Sequence, residues 1–195
     1  MARSTRQDTE KHREQIVEAA ARLFRARGLD GVSIPELMAE ADMTHGGFYR
    51  HFASKDALAA LGYAAAFEDL LGVFEGIVAQ HKDDPSAARI AYIDTYLAKS
   101  HRDKSEMGCP TAALCTDVAR GDTKSELHAA FVAGARRFAD RLAALEPAGE
   151  TSKARREHAL ATLSTLVGAV LLSRATKGDA ISDAILAAAK KSLTA

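Results

Sequence analysis

Between Thr44 and Asp56 the chain reads Thr-His-Gly-Gly-Phe-Tyr-Arg-His-Phe-Ala-Ser-Lys-Asp. At helical spacing Phe48 and Phe52 share one face, while His45 with Tyr49 and Gly46 with Arg50 share the other. The aromatic pair can lock into a core. The opposite face then offers hydrogen-bond donors, a guanidinium and almost no bulk at its leading end. No acidic residue lies between Met43 and Lys55. Such a segment suits entry, end-first, into a groove lined with phosphates.

Each side chain in this stretch has a chemistry to offer. Thr44 Oγ can cap a helix start and touch a phosphate oxygen. Gly46 and Gly47 remove side chains that would hold the backbone off base edges, and the free N–H groups of a helix start favour an anion. Arg50 and His45 are candidates for base edges, since an arginine reads guanine bidentately. Tyr49, His51 and Lys55 suit backbone clamps, which position a protein without reading sequence. Taken one at a time these are ordinary surface residues; their order within about 25 residues carries the argument.

The elements that must position them are helical. Ile16, Ala20, Leu23, Phe24 and Arg27 form one stripe from about Thr9, and Gly28 is a natural stop. Ser33 and Glu36 have the spacing of a capping box, with Pro35 in the first turn and Ile34, Leu37, Met38 and Ala41 facing inward. Asp42-Met43 makes a tight link, Thr44 caps a third helix, and Ser54 caps a long fourth, about Lys55 to Lys82. Three short helices with a tight second turn are a helix-turn-helix arrangement. Further helices are expected from Pro85 to about Arg102, Pro110 to Arg120, Lys124 to Leu145, Ser152 to Arg174, and Asp179 to about Leu193, with a loop at 147–149. The expected fold is all-α, about nine helices with no convincing strand: a DNA-binding head over residues 1–54 and a ligand-binding, dimerising body over 55–195.

The run Val32-Ser33-Ile34, Leu37, Ala41, Thr44, Gly46, Phe48-Tyr49, His51-Phe52, Ser54-Lys55 and Leu58 resembles the signature of the TetR/AcrR transcriptional regulators. The likeness covers about residues 15–60. It implies a homodimeric repressor that binds a double-stranded DNA operator and is released by a small-molecule inducer. It also implies phosphate contacts at Ser33, Thr44, Tyr49, His51 and Lys55. Asp42 stands where the family often has glycine, and Asp tolerates left-handed backbone. Met38 replaces a frequent small alanine, which sets helices two and three slightly further apart.

In the body, Leu160, Leu163, Val167, Val170, Leu171 and Arg174 form one stripe, and Ile181, Ile185, Ala188 and Ala189 another. Two such helices per subunit would make a four-helix dimer interface, unless both simply pack on their own core. A two-fold dimer presents two recognition helices about one DNA turn apart, so the operator should be near-palindromic. Polar-tipped aromatics Tyr63, Tyr92 and Tyr96, with Phe67, Leu71, Met107 and Phe131 around them, could line a pocket or belong to an ordinary core. Pro110 at a helix start puts Cys109 at the N-cap, where the dipole should lower its pKa and suit it to sensing electrophiles; a buried filler is the alternative. Cys115 lies six residues on, roughly 9 Å along the axis, too far for an intrahelical disulfide.

Composition excludes several classes. With 26 basic and 26 acidic residues the formal net charge is zero, so anion binding must be local. Residues 1–27 hold seven Arg/Lys against four acids, a surplus of three. No metal-ligand spacing, phosphate loop or Ser/His/Asp motif stands out among the seven scattered histidines, and no cofactor or catalysis is expected. No apolar run, Leu163–Leu172 included, is long enough for a membrane, and the N-terminus lacks a secretory core; the expected location is cytoplasmic. A DNA-binding protein without a ligand remains the competing reading, and an enzyme the remoter one.

Overall fold

The computed structural model describes residues 6–146 and 151–195, and the loop expected at 147–149 lies outside them. The described residues form ten α-helices and no strand: α1 (Arg6–Arg27), α2 (Ile34–Glu40), α3 (Phe48–His51), α4 (Lys55–Gln80), α5 (Pro85–Tyr96), α6 (Lys99–Asp103), α7 (Pro110–Arg120), α8 (Glu126–Ala143), α9 (Ser152–Ala175) and α10 (Ala180–Thr194). Short 3₁₀ turns occupy His45–Gly47 and Ser105–Met107.

Local chemistry explains most of the boundaries. α1 ends where Gly28 takes φ 69°, a conformation that costs glycine little. Ser33 Oγ accepts from the Glu36 N–H at 3.3 Å, and the Glu36 carboxylate accepts from the Ser33 N–H at 2.7 Å, closing the capping box. Asp42 is left-handed at φ 57°, so the turn between α2 and the recognition segment survives without glycine. Ser54 Oγ accepts the Ala57 N–H at 3.0 Å, and Asp84 Oδ1 the Ala87 N–H at 2.9 Å.

Three expectations are corrected. The third helix is not one α segment: the glycine pair winds as 3₁₀, with the Gly47 N–H on the Thr44 carbonyl at 3.0 Å, before a single α turn. Glycine contributes no side-chain packing to hold the wider α turn open. The segment from Pro85 to Arg102 is two helices, broken at Leu97-Ala98 although neither residue is a breaker. The carbonyl of Tyr96 that the break frees is met by the His101 ring at 2.5 Å. α8 begins at Glu126 rather than Lys124, because Ser125 provides the cap.

α4 is the central post. α1 packs along one side of it, and α8 along the other. Close approach of α1 depends on Gly62, where a Cβ would sit 3.1 Å from the Ala21 amide nitrogen. One apolar core runs from the head (Ile16, Phe24, Leu37, Phe48, Leu58) into the body. There Phe74 meets Tyr92 edge-on at 4.8 Å and Phe138 meets Tyr92 at 6.0 Å. By length and hydropathy alone, α4 and α9 would be apolar enough to cross a membrane, contrary to the sequence reading. In this fold half of the most apolar stretch of α4 is buried in the protein's interior.

Candidate nucleic-acid interface and ligand cavity

The recognition turn has the two faces its spacing implies. Phe48 and Phe52 are buried, their ring centroids 5.6 Å apart. Tyr49 is 71% exposed although its ring meets the Phe48 edge at 5.1 Å, and Arg50 and Gly46 are exposed. A side chain at Gly46 would meet nothing within 4 Å, so the protein itself does not require glycine there. At Gly47 a Cβ would lie 3.5 Å from the Met38 methyl, so Met38 fills the space beneath the turn and is itself buried. The side chain of His45 lies outside what is described.

Other residues of this surface have partners inside the chain. Ser33 Oγ donates to Glu36 at 2.7 Å, and this hydroxyl, the Ser33 amide and Arg27 hold the Glu36 carboxyl at about 2. Lys55 Nζ donates to the Leu29 carbonyl at 2.5 Å and lies 6.0 Å from the Phe24 ring centre. That bond uses one of three ammonium protons. Thr44 is exposed, and the side-chain cap expected of it is not made: its carbonyl accepts the Gly47 N–H of the 3₁₀ turn, and the α turn starts from Gly47 with no side-chain cap. His51 is half-buried, and its buried Nδ1 has no hydrogen-bond partner. Burial lowers its pKa from 6.5, and the charges of His12, Arg13 and Arg50 lower it further. Arg13, stacked over Phe52 at 5.4 Å, and His12 thus bring α1 to the same cationic surface. Nothing in their local spacing marks them; only the approach of α1 to Phe52 and His51 does.

A cavity of about 540 Å³ opens between α1, α4, α5, α6 and the Ser105–Met107 turn. Of the residues expected to line a pocket, Tyr92, Tyr96 and Met107 do, with Met107 74% exposed at its rim. Tyr63, Phe67, Leu71, Phe131 and Cys109 do not. Tyr63 stacks on Phe67 at 6.0 Å, meets Phe131 at 5.5 Å, and its hydroxyl is 3.0 Å from Thr111 Oγ1; Leu71 is core. Sequence reasoning missed the rest of the lining: Arg25 from α1, Asp69, Leu70 and Val73 from α4, and Thr95, Ser100, His101, Lys104 and Gly108 around the α5–α7 connection. His101 is held at both nitrogens: Nδ1 faces the Tyr96 carbonyl, so it carries the proton, and Nε2 accepts the Cys109 N–H at 2.9 Å. Burial lowers its pKa, and the ring is the neutral tautomer.

Cys109 sits at the N-cap of α7 as expected, but the expected acidity is overturned. The residue is fully buried, and desolvation pushes its thiol up despite hydrogen bonds from Tyr96 and the Thr111 and Ala112 amides. Cys115 is half-buried, and both cysteines are free.

The candidate interface stripe divides in two. Leu163 and Val170 are buried in their own subunit, because α9 has two apolar faces and these point at the core. Leu160 and Ile181 are 46% and 52% exposed, Ala188 is exposed, and Val167, Leu171 and Ile185 are half-buried. Leu172, absent from the predicted stripe, is 58% exposed on the same helix. Among the described residues no group of three His, Cys, Asp or Glu could hold a metal ion.

An all-α body beneath a helix-turn-helix head, with its recognition turn presented outward, defines a nucleic-acid-binding regulator by its fold. Residues 16–61 match the bacterial regulatory proteins of the tetR family, which together with the relatives and folds below supports a TetR/AcrR family transcriptional regulator. It is 38% identical over 58 residues to the HTH-type transcriptional regulator AcrR of Shigella flexneri, covering 30% of this chain and 27% of that one. To the HTH-type transcriptional repressor NemR of Escherichia coli it is 27% identical over 140 residues, 70% of this chain and 66% of the relative. The chain therefore spans between about a quarter and two thirds of these curated relatives. A TetR-family regulator from Chloroflexus aurantiacus superposes with a TM-score of 0.73 at 26% identity, covering 96% of this chain and 94% of that structure. One from Cytophaga hutchinsonii has the same fold, TM-score 0.77 at 21% identity over 95% and 94% of the two chains.

Proposed function

We propose that the chain is a cytoplasmic DNA-binding repressor, a homodimer that holds a near-palindromic operator and releases it when a small molecule enters the body. The observation that carries this reading is the recognition turn: Phe48 and Phe52 buried, with Gly46, Tyr49 and Arg50 presented outward. Arg50 reads a base edge, while Thr44, Tyr49, His51 and the free protons of Lys55 grip phosphates. The tetR-family match over residues 16–61 and the repressor relatives support it. The apolar exposure of Leu160, Leu172 and Ile181 on adjacent helices supports pairing through α9 and α10. The head is taken as residues 1–54, with the remainder as the ligand-binding and pairing body.

Selection of binding sequences from random duplex tests this reading. The expected product is a motif with two inverted half-sites, and Arg50→Ala should relax preference at one position in each. A protein that enriches no motif and ignores duplex at low salt refutes it.

A further inference from the structure

We infer that the cavity takes a mostly apolar small molecule bearing a carbonyl-type oxygen, which accepts hydrogen bonds from the hydroxyls of Tyr92 and Tyr96. As the identity of an inducer this rests on the repressor reading, but the binding itself can be measured without DNA.

Both tyrosines line the cavity, and both are nearly fully buried. The Tyr92 hydroxyl is buried with no hydrogen-bond partner. That of Tyr96 lies against the Cys109 thiol, a weak partner, and makes no other bond. Contrast Tyr63, whose hydroxyl, equally buried, is satisfied by Thr111 at 3.0 Å. A buried hydroxyl without a partner is costly, and two beside one cavity call for an acceptor supplied from outside the chain. Burial raises the pKa of both phenols well above the ordinary value, so they stay protonated and act as donors.

The remaining wall restricts the rest of the ligand. Leu70, Val73 and Met107 are apolar. Two polar groups of the wall are already engaged. Both nitrogens of His101 are occupied, and the ring is neutral. Arg25 donates to the Ala21 carbonyl at 2.9 Å and to Asp69 at 3.3 Å. Lys104 also stands in the wall, so the acceptor can be a neutral carbonyl or a carboxylate oxygen, and the naphthoate probe below separates the two. A volume of about 540 Å³ lies within the ordinary range for small-molecule sites.

The test is isothermal titration of the full-length protein with three probes of matched shape: 2-acetylnaphthalene, 2-naphthoate and 2-ethylnaphthalene. The acetyl compound should bind about tenfold more tightly than the ethyl compound, which lacks the acceptor. In the Tyr92→Phe/Tyr96→Phe variant that preference should vanish while affinity for the ethyl compound holds. The same variant, and each single one, should melt no lower than the parent, because an unsatisfied hydroxyl is removed; a fall in Tm would show that the hydroxyls serve the fold instead. Naphthoate tighter than acetyl supports the inference if the double variant abolishes the gain and overturns it if the gain persists, since cations would then be the donors. Equal affinity for acetyl and ethyl probes, or no binding by any, also overturns it. A protein that selects a duplex motif yet fails this panel sinks the inference alone; one that binds the acetyl probe but no duplex sinks only the repressor reading.

Discussion

Phe48→Ala and Tyr49→Ala, neighbours in sequence, should separate the inward and outward duties of the recognition turn. Phe48 is fully buried and packed 5.6 Å from Phe52. A phenylalanine covers about 150–250 Å², and alanine keeps only a fraction of it. At about 25 cal/mol per Å² the loss is about 3–4 kcal/mol, the low end of measured Phe→Ala costs. The head and body share one continuous core, so this loss should appear in global melting rather than in the head alone. For a chain of this size it corresponds to a fall in Tm of about 10 °C. Tyr49 is 71% exposed and keeps only an edge contact with Phe48 at 5.1 Å. Its truncation should cost about 0.5 kcal/mol and move Tm by about 2 °C, while weakening duplex binding equally on all sequences. Circular dichroism melts and fluorescence anisotropy with a labelled duplex at several salt concentrations measure both quantities. Equal losses of Tm from the two substitutions, or a Phe48→Ala protein melting within about 1 °C of the parent, would refute the assignment of faces.

Lys55→Met should lower stability by about 1 kcal/mol through loss of the Leu29 carbonyl bond, and flatten the salt dependence of duplex affinity by about one unit per subunit; an unchanged slope in a salt titration removes Lys55 from the phosphate contacts. His51, with its pKa below 6.5 in the free protein, should take up a proton when a phosphate approaches, so affinity should rise as pH falls from about 7.5 through the free value, and His51→Gln should lose that slope. Because the folded value lies below the unfolded one, the same residue's contribution to stability is whole above pH 6.5 and declines as pH falls toward the folded value, which urea titrations at stepped pH can check. Leu172→Glu with Ile181→Glu, both more than half exposed, should abolish the proposed pairing and leave a monomer of unchanged helicity in sedimentation; a variant that still sediments as a dimer moves the interface elsewhere.

The sequence marked the head well because its boundaries are written in local chemistry. The Ser33–Glu36 box, Pro35, Gly28 and left-handed Asp42 each act within a few residues, and each is where the spacing placed it. The break at Leu97-Ala98 had no such marker; the His101 ring, five residues after Tyr96, meets the carbonyl that the break frees, and nothing in the residue types announces that bond. Periodicity named the apolar residues of α9 but could not tell Leu163, which faces the core, from Leu160, which faces out, since both belong to apolar rows of one helix. Cys109 shows the same limit in energy. Its N-cap position was legible, and the dipole argument was sound, but desolvation is set by residues far along the chain and outweighs it. Of the cavity wall only Tyr92, Tyr96 and Met107 were legible, because more than half of the lining is charged or hydroxylic and it comes from α1, α4, α5, α6 and the 104–108 segment.

That scattered lining bears on regulation. Arg25 belongs to α1, the first helix of the head, yet it stands at the cavity beside Asp69 of α4 and Tyr96 of α5. An occupant of the cavity would therefore touch the head directly rather than through a relay of intervening side chains. Below this point α1 and α4 are in close contact at Gly62, which leaves little room for them to slide independently. The Arg25–Asp69 pair, 3.3 Å long with Asp69 68% exposed, is the weaker tie and the one a ligand could exchange for its own contacts. Binding alone would not release an operator. The occupant must prefer the arrangement in which α1 has moved, and the fold by which it weakens DNA binding equals the fold by which DNA weakens its own. Arg25→Met should therefore reduce that mutual effect more than it reduces either affinity measured separately, and a coupling factor unchanged by the substitution would place the transmission along α4 instead.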